Sequence, residues 1–256
     1  MMPERLHEIE FNLRLQITSM ISAAALVTPM FTNIRTFEYL GVAELAGIKT
    51  LYVIIGSICL AAFLLRTWGA AYLSSYVVMA KDANQDKLIV AGPFMYMRNP
   101  LYSGDILGAS AIGLALPPAG FLIMAFLLTL HSYLLARYEE KKMAVKFGEG
   151  YAEFLSKVNR FVPSLKPYRH SGYADFISRY SPDWPDAIMS NLYFAGLGGA
   201  FIAAAFAGYS PETIERCVYI YSFGALAVWS VFYMIYYHPK HFMGGKSRER
   251  GTENRE

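Results

Sequence analysis

The chain has 256 residues, of which 55% are hydrophobic, 15% are aromatic and only 17% are charged, and its formal net charge is +3. This composition and a mean hydropathy of +0.29 exclude an ordinary soluble domain, in which about a quarter of the residues are charged. They indicate an integral membrane protein. The small net charge is spread over several segments, so no nucleic-acid-binding surface is expected.

Apolar segments recur along the chain at lengths that suit membrane-spanning helices, which need about 20 predominantly apolar residues. Pro117 and Pro118 separate two of these segments, which predicts a tight helical hairpin over residues 105–136 with its turn at the far membrane surface. The fold class is therefore predicted to be all-α, with about six transmembrane helices and a cytoplasmic cofactor-binding region. The predicted spans are residues 17–34, 50–65, 106–116, 119–136, 192–209 and 218–237.

The lysines and arginines test this topology independently, because cytoplasmic loops accumulate them. With six spans and both termini in the cytoplasm, all of the 23 basic residues except Arg35, Lys49 and Arg216 fall on the cytoplasmic side. The first span lacks a small-residue cleavage site, so it is expected to be a retained helix. Cys59 and Cys217 lie in or beside apolar segments without metal or redox spacing, and both are expected to be packing residues.

The chain divides into five predicted parts. The central part is expected to hold a polar loop, the hairpin and an amphipathic cytoplasmic helix that breaks near Gly148 and stops at Pro163. The parts are N-terminal transmembrane helices at 1–80, a core at 81–165, a cytoplasmic linker at 166–190, C-terminal transmembrane helices at 191–240 and a disordered tail at 241–256.

Two groups of polar residues flank the hairpin. The stretch GPFMYMRNPLYSG, residues 92–104, precedes its first helix, and Glu139 and Glu140 follow its second. Because the two helices of a hairpin run antiparallel, these groups are expected to meet at one membrane face. Backbone N–H groups at a helix N-terminus suit a carboxylate or phosphate, and the glutamates suit an ammonium group. The pattern therefore predicts a site for a zwitterion such as an amino-acid moiety, although the glutamates could also be a solvated helix start.

Three other ionisable residues at the hairpin have two interpretations each. Ionisable groups in membrane segments are often functional. Asp105 could cap the helix that begins beside it or act as a base, and His131 could be a functional group or a buried histidine bonded to a backbone carbonyl. Arg137 could orient an acceptor or extend to the lipid headgroups.

These motifs resemble those of the membrane-embedded methyltransferases related to isoprenylcysteine carboxyl methyltransferase and phospholipid N-methyltransferase. The resemblance covers about residues 73–163 and consists of GPFMYMRNPLYSG, the hairpin and EEKKMAVKFGEGYAEFLSKVNRFVP. Asn99 stands where the isoprenylcysteine branch commonly has histidine, and Asp105 stands where the family usually has an apolar residue. The matching positions are Gly92, Pro93, Phe94, Arg98, Asn99, Pro100, Tyr102 and Gly104 in the first motif and Glu139, Glu140, Met143, Phe147, Gly148, Tyr151, Val162 and Pro163 in the second.

The resemblance implies that S-adenosylmethionine binds from the cytoplasm where the motifs meet, and that a lipophilic acceptor comes from the bilayer. Arg98 and Arg137 are then candidate catalytic residues that would orient a carboxylate acceptor, whereas an amine or hydroxyl would need Asp105 or His131 as a base. No metal is expected. The protein would lie in the inner or plasma membrane, or its equivalent, with its site cytoplasmic. The candidate cofactor-binding residues are Gly92, Pro93, Asn99, Pro100, Tyr102, Gly104, His131, Glu139 and Glu140.

Two other functions share parts of this pattern. A membrane NADPH-dependent reductase of the steroid reductase type resembles the chain, including an acidic residue at the place of Asp105. Against it, the block with Glu139 and Glu140 favours methyltransferases, and the motif has no basic cluster for a 2′-phosphate. A non-catalytic assembly or transport factor with the same fold is the other alternative.

Overall fold

The computed structural model describes residues 9–32, 34–42, 44–73, 88–169 and 182–206, together with single helical positions at 216, 220, 224 and 227. The described residues confirm the all-α class. A 3-10 helix at Thr28–Met30 follows the first helix, another lies at Gly92–Met95, and a π-helical turn at Ile123–Leu127 joins two helices. The α-helices are α1 (Arg14–Val27), α2 (Thr36–Tyr39), α3 (Leu45–Leu73), α4 (Pro100–Gly113), α5 (Pro118–Leu122), α6 (Leu128–Lys157) and α7 (Trp184–Phe206).

Three helices among the described residues are long and apolar enough to cross a membrane: α3, the continuous helix Pro118–Lys157, and α7. The 29 residues of α3 extend roughly 44 Å, more than the approximately 30 Å of hydrocarbon. The predicted spans at 50–65, 119–136 and 192–209 coincide with these three helices over most of their length.

The other three predicted spans have a different outcome. The segments at 17–34 and 106–116 overlap α1 and α4, which have 14 residues each and are shorter than an ordinary span. The segment at 218–237 lies almost entirely outside the described residues. Six spans with both termini in the cytoplasm therefore stay a prediction.

The predicted hairpin is present. Helix α4 ends at Gly113 and α5 begins at Pro118, where proline suits the first turn because it lacks the N–H that would be unpaired there. The turn is fixed to α2, since the carbonyl oxygen of Leu116 accepts hydrogen bonds from the backbone N–H of Thr36 at 2.9 Å and from its hydroxyl at 2.7 Å.

Helices α3 and α7 approach closely at a pair of glycines. A Cβ on Gly56 would lie 2.7 Å from the carbonyl oxygen of Gly198, and a Cβ on Gly198 would lie 2.8 Å from that of Gly56. Small residues at such contacts are typical of helix packing in membranes. Cys59 is fully buried in the neighbouring cluster, as expected of a packing residue, whereas Cys217 lies outside the described residues.

The C-terminal half of α6 breaks where the sequence predicts. Gly148 has φ 55° and ψ −131°, a conformation that glycine adopts without the steric penalty of other residues. The helix ends at Lys157, before Pro163, because Val158 is already extended. Beyond the break, the apolar face with Tyr151 and Phe154 packs in the cluster that also holds Met143.

After α6 the chain folds back along the loop that precedes α4. We call residues 158–168 the strap. Helix α7 begins at Trp184, inside the predicted linker 166–190, and residues 170–181 and the predicted tail 241–256 lie outside the described residues. Four backbone hydrogen bonds of 2.8–3.1 Å hold the strap to the loop, from Arg98 to Asn159, from Asn99 to Arg160, from Ser164 to Tyr96 and from Tyr168 to Met95.

Candidate active site

The hairpin brings the two sequence motifs into direct contact at Glu140. This side chain is 7% exposed, and its Oε1 accepts hydrogen bonds from Arg98 Nε and Asn99 Nδ2, both at 3.0 Å. Its Oε2 accepts a 2.7 Å hydrogen bond from Arg160 Nη2. Arg98 Nη1 also donates to the carbonyl oxygen of Leu155 at 2.7 Å. Glu140 therefore joins α6, the start of α4 and the strap.

Arg160 is a member of this cluster that sequence reasoning missed. Its Nε lies 3.1 Å from both carboxylate oxygens of Glu140. These hydrogen bonds raise the pKa of the Arg160 guanidinium further above its already high ordinary value, so the group is a cation at every physiological pH. In the sequence, Arg160 is one of many basic residues in a predicted cytoplasmic segment, and its charge is already explained by topology.

Glu139 has a different environment from its neighbour. It is half-buried and accepts a 2.9 Å hydrogen bond from the hydroxyl of Tyr102 on α4. The guanidinium of Arg14 lies 4.2 Å from the ring centroid of Phe11, and Arg14 and Glu139 border the same cavity. An acidic and a basic side chain therefore line one cavity. Sequence reasoning did not identify Arg14.

A cavity of about 260 Å³ opens beside these residues. Its volume is slightly below the roughly 300 Å³ at which ordinary ligand pockets begin, and it combines a few polar groups with an apolar wall, as such pockets do. The polar lining includes Arg98, Asn99, Tyr102, Glu139 and Glu140 from the two motifs, with Arg14 from α1. The apolar lining includes Leu15, Leu73, Leu88, Ile89, Phe94, Pro100, Leu135, Met143 and Phe154.

A second cluster of polar side chains lines the same cavity. It consists of Arg66, Asp105 and Tyr193, which come from α3, α4 and α7. Arg66 Nη1 forms an ion pair with Asp105 Oδ2, and the Tyr193 side chain hydrogen bonds to Asp105. Arg66 Nε donates to Asn191 Oδ1 at 2.8 Å. The interpretation of Asp105 as a helix cap is wrong, because α4 begins at Pro100 and Asp105 lies in its second turn.

The glycines and the first proline of the motif serve packing. Gly92 has φ 58°, and a Cβ there would lie 2.5 Å from the ring of Tyr72. A Cβ on Gly104 would lie 2.5 Å from Arg66 Cγ, and Pro93 is fully buried. None of these three residues is among those that line the cavity, although all three were candidates for cofactor binding.

His131 and Arg137 are also not among the residues that line the cavity. The ring of His131 is buried, with Nδ1 3.0 Å from Glu10 Oε1 and Nε2 3.4 Å from the carbonyl oxygen of Arg14. The guanidinium of Arg137 is exposed and lies 5.8 Å from the ring centroid of Tyr133. Residues two apart on a helix do not share a face, so Arg137 points away from the direction that Glu139 takes.

Comparison with known proteins is consistent with the motifs. Residues 51–150 match the family model described as phospholipid methyltransferase. The cobalt-zinc-cadmium resistance protein CzcN of Cupriavidus metallidurans is 28% identical over 136 residues, which are 52% of this chain and 56% of that protein. The chain thus spans about half the length of this curated relative. No solved structure matches the chain. The expected resemblance is thereby confirmed: over residues 51–150 the chain is similar to the phospholipid methyltransferase family of membrane proteins.

Proposed function

We propose that the protein is a membrane-embedded methyltransferase that moves a methyl group from S-adenosylmethionine to a lipophilic acceptor. The family match over residues 51–150 supports the reaction class. The observation that carries the proposal is the contact between the two motifs at Glu140 on the wall of one cavity.

The residues of the cavity fit this cofactor. Its amino-acid end carries an ammonium group and a carboxylate, for which Glu139 and Arg14 provide opposite charges on the cavity wall. Phe94, Tyr151 and Phe154 provide aromatic surface for the nucleoside. Glu139 would therefore contact the ligand, whereas Glu140 is already bonded to three side chains and would hold the site together.

Methyl transfer requires the protein mainly to position the reactants and to exclude water. When bound, S-adenosylmethionine supplies an activated methyl group on a sulfonium. The side chains then have to align the acceptor with that methyl group and exclude water, which would compete as a nucleophile. The apolar wall of the cavity provides this exclusion. Arg98 would help to keep the cavity wall in shape, since its guanidinium donates hydrogen bonds to Glu140 and to the carbonyl oxygen of Leu155.

The membrane helices that line the cavity suggest how an acceptor reaches it. Residues of α3, α6 and α7 contribute to the lining, and these helices belong to the three apolar segments long enough to cross a membrane. An integral membrane protein with such a cavity can take its acceptor from the bilayer. The distribution of lysine and arginine favours a site on the cytoplasmic side.

Binding measurements separate this proposal from its alternatives. Purified protein in lipid nanodiscs is titrated with S-adenosylhomocysteine and, separately, with NADPH in a calorimeter. Saturable binding of S-adenosylhomocysteine is expected. Binding of NADPH but not of S-adenosylhomocysteine would favour the reductase. Binding of neither ligand would favour a non-catalytic factor.

A further inference from the structure

Asp105 and Tyr102 lie on the same face of α4. They are three residues apart, so their Cβ atoms are about 5–6 Å from each other. Tyr102 bonds to Glu139, while Asp105 pairs with Arg66, and all four side chains line the cavity. The cavity therefore has a second polar end, about one helical turn along α4 from the end where the cofactor is proposed to bind.

The hydrogen bonds of Asp105 leave room for a ligand. Arg66 and Tyr193 occupy two positions on its carboxylate, whose two oxygens have about four lone-pair sites. The side chain is 27% exposed and lines the cavity. An incoming N–H or O–H group can therefore donate a hydrogen bond to Asp105.

The charge of this end of the cavity disfavours a carboxylate ligand. The positive charge of Arg66 is balanced by Asp105, and its Nη1 and Nε atoms are bonded to Leu101, Asp105 and Asn191. A carboxylate placed beside Asp105 would meet a like charge in surroundings of low dielectric constant, where repulsion is strong. A hydroxyl or an amine would meet an acceptor.

We infer that Asp105 is the proton acceptor of the methyl transfer, and that the group Arg66, Asp105 and Tyr193 selects acceptors with an N–H or O–H nucleophile over carboxylates. This inference rests on the proposed function. Arg66 is a positioning residue, because its ion pair with Asp105 holds that carboxyl group in place. Buried carboxylates in membrane segments are costly without such a partner.

The step balances without a further reactant. A lone pair on the nitrogen or oxygen of the acceptor forms the new bond to the methyl carbon, and the electron pair of the broken carbon–sulfur bond stays on sulfur, which becomes a thioether. The proton of the nucleophile passes to the carboxylate of Asp105 and then to water. A carboxylate acceptor would have no proton to give, so Asp105 would have no role with it.

The test compares three probes with one hydrocarbon chain: octylamine, octan-1-ol and octanoate. Each is titrated into nanodisc-embedded protein saturated with S-adenosylhomocysteine, with empty nanodiscs as the blank. The wild type is expected to bind octylamine and octan-1-ol at least about tenfold more tightly than octanoate, the ratio that one charge-assisted hydrogen bond supplies. Asp105→Asn should lower the octylamine affinity by about tenfold and leave the S-adenosylhomocysteine affinity unchanged.

A second variant covers the case in which Asp105→Asn does not fold. The double variant Arg66→Gln with Asp105→Asn removes both charges together, so no buried charge is left without a partner, and the same loss of octylamine affinity is expected. Equal or tighter binding of octanoate, binding of none of the probes, or unchanged octylamine affinity in the variant that folds would overturn the inference. A wild type that fails to bind S-adenosylhomocysteine would instead contradict the proposed function.

Discussion

Replacing Glu140 with glutamine tests the assignment of different tasks to the two neighbouring glutamates. The substitution keeps the shape of the side chain but removes its charge and one of its acceptor oxygens. Arg98, Asn99 and Arg160 then lose the carboxylate that they share. The contact between α6, the start of α4 and the strap should weaken as a result.

The expected magnitude follows from the burial of the partners. Breaking a buried ion pair by removing one member costs about 3–5 kcal/mol. The side chain of Arg98 is 12% exposed and that of Arg160 is 28% exposed, so water partly compensates the cations left behind. We therefore expect a loss of about 2–3 kcal/mol in the free energy of unfolding. For a chain of this size, that loss lowers Tm by roughly 4–12 °C.

The assay is a thermal scan of tryptophan fluorescence in detergent micelles, with Glu139→Gln as the matched control. Glu139 accepts a hydrogen bond from Tyr102, so its variant should change Tm by only about 2 °C. Its affinity for S-adenosylhomocysteine should fall by about tenfold. Wild-type stability of Glu140→Gln, or an equal loss in both variants, would refute this division of tasks.

Three further predictions concern the surroundings of the site. Gly92→Ala and Gly148→Ala impose similar strain, because φ is 58° and 55° at these positions, but only Gly92 has a neighbour that a methyl group would meet. The first variant should therefore lower Tm more than the second, and equal losses would contradict the contact with Tyr72. Arg14→Gln should weaken binding of S-adenosylhomocysteine in the calorimeter by about tenfold, as expected for one charge-assisted bond. Arg137→Gln should leave that affinity unchanged. A loss of affinity in Arg137→Gln but not in Arg14→Gln would show that Arg137, and not Arg14, contacts the ligand.

The parts of the fold that depend on local chemistry could be predicted from the sequence. Pro117 and Pro118 interrupt a long apolar segment, which indicates a hairpin, and Gly148 interrupts an amphipathic pattern, which indicates a break. An antiparallel hairpin then brings its two outer ends together, so the meeting of Glu140 with Arg98 followed from topology alone.

The roles of individual arginines could not be predicted in this way. Arg14, Arg66 and Arg160 all fit the excess of basic residues that the predicted topology places on the cytoplasmic side, and that rule explains their charge without any site. Their partners come from distant parts of the chain, as the bond between Arg66 and Asn191 shows. Tertiary packing decides which of many basic residues is buried against a carboxylate.

The same limit applies to residues that a motif groups together. Gly92 and Gly104 belong to the motif but make room for Tyr72 and Arg66, and this close approach is visible only in three dimensions. His131 lies two helical turns before Glu139, at a place where the segment with Glu10 crosses α6. Its partners there depend on how the N-terminal helix packs, which the sequence does not specify.

Transfer of a labelled methyl group to a lipid would be direct evidence of methyltransferase activity. Nanodisc-embedded protein is incubated with methyl-labelled S-adenosylmethionine and a lipid extract of the host cells. The lipids are then separated and their label is counted. We expect label in a lipid-soluble product with the wild type and a strong loss of that label with Glu139→Gln. Label that stays out of the lipid fraction, or that is equal in the two proteins, would contradict this expectation.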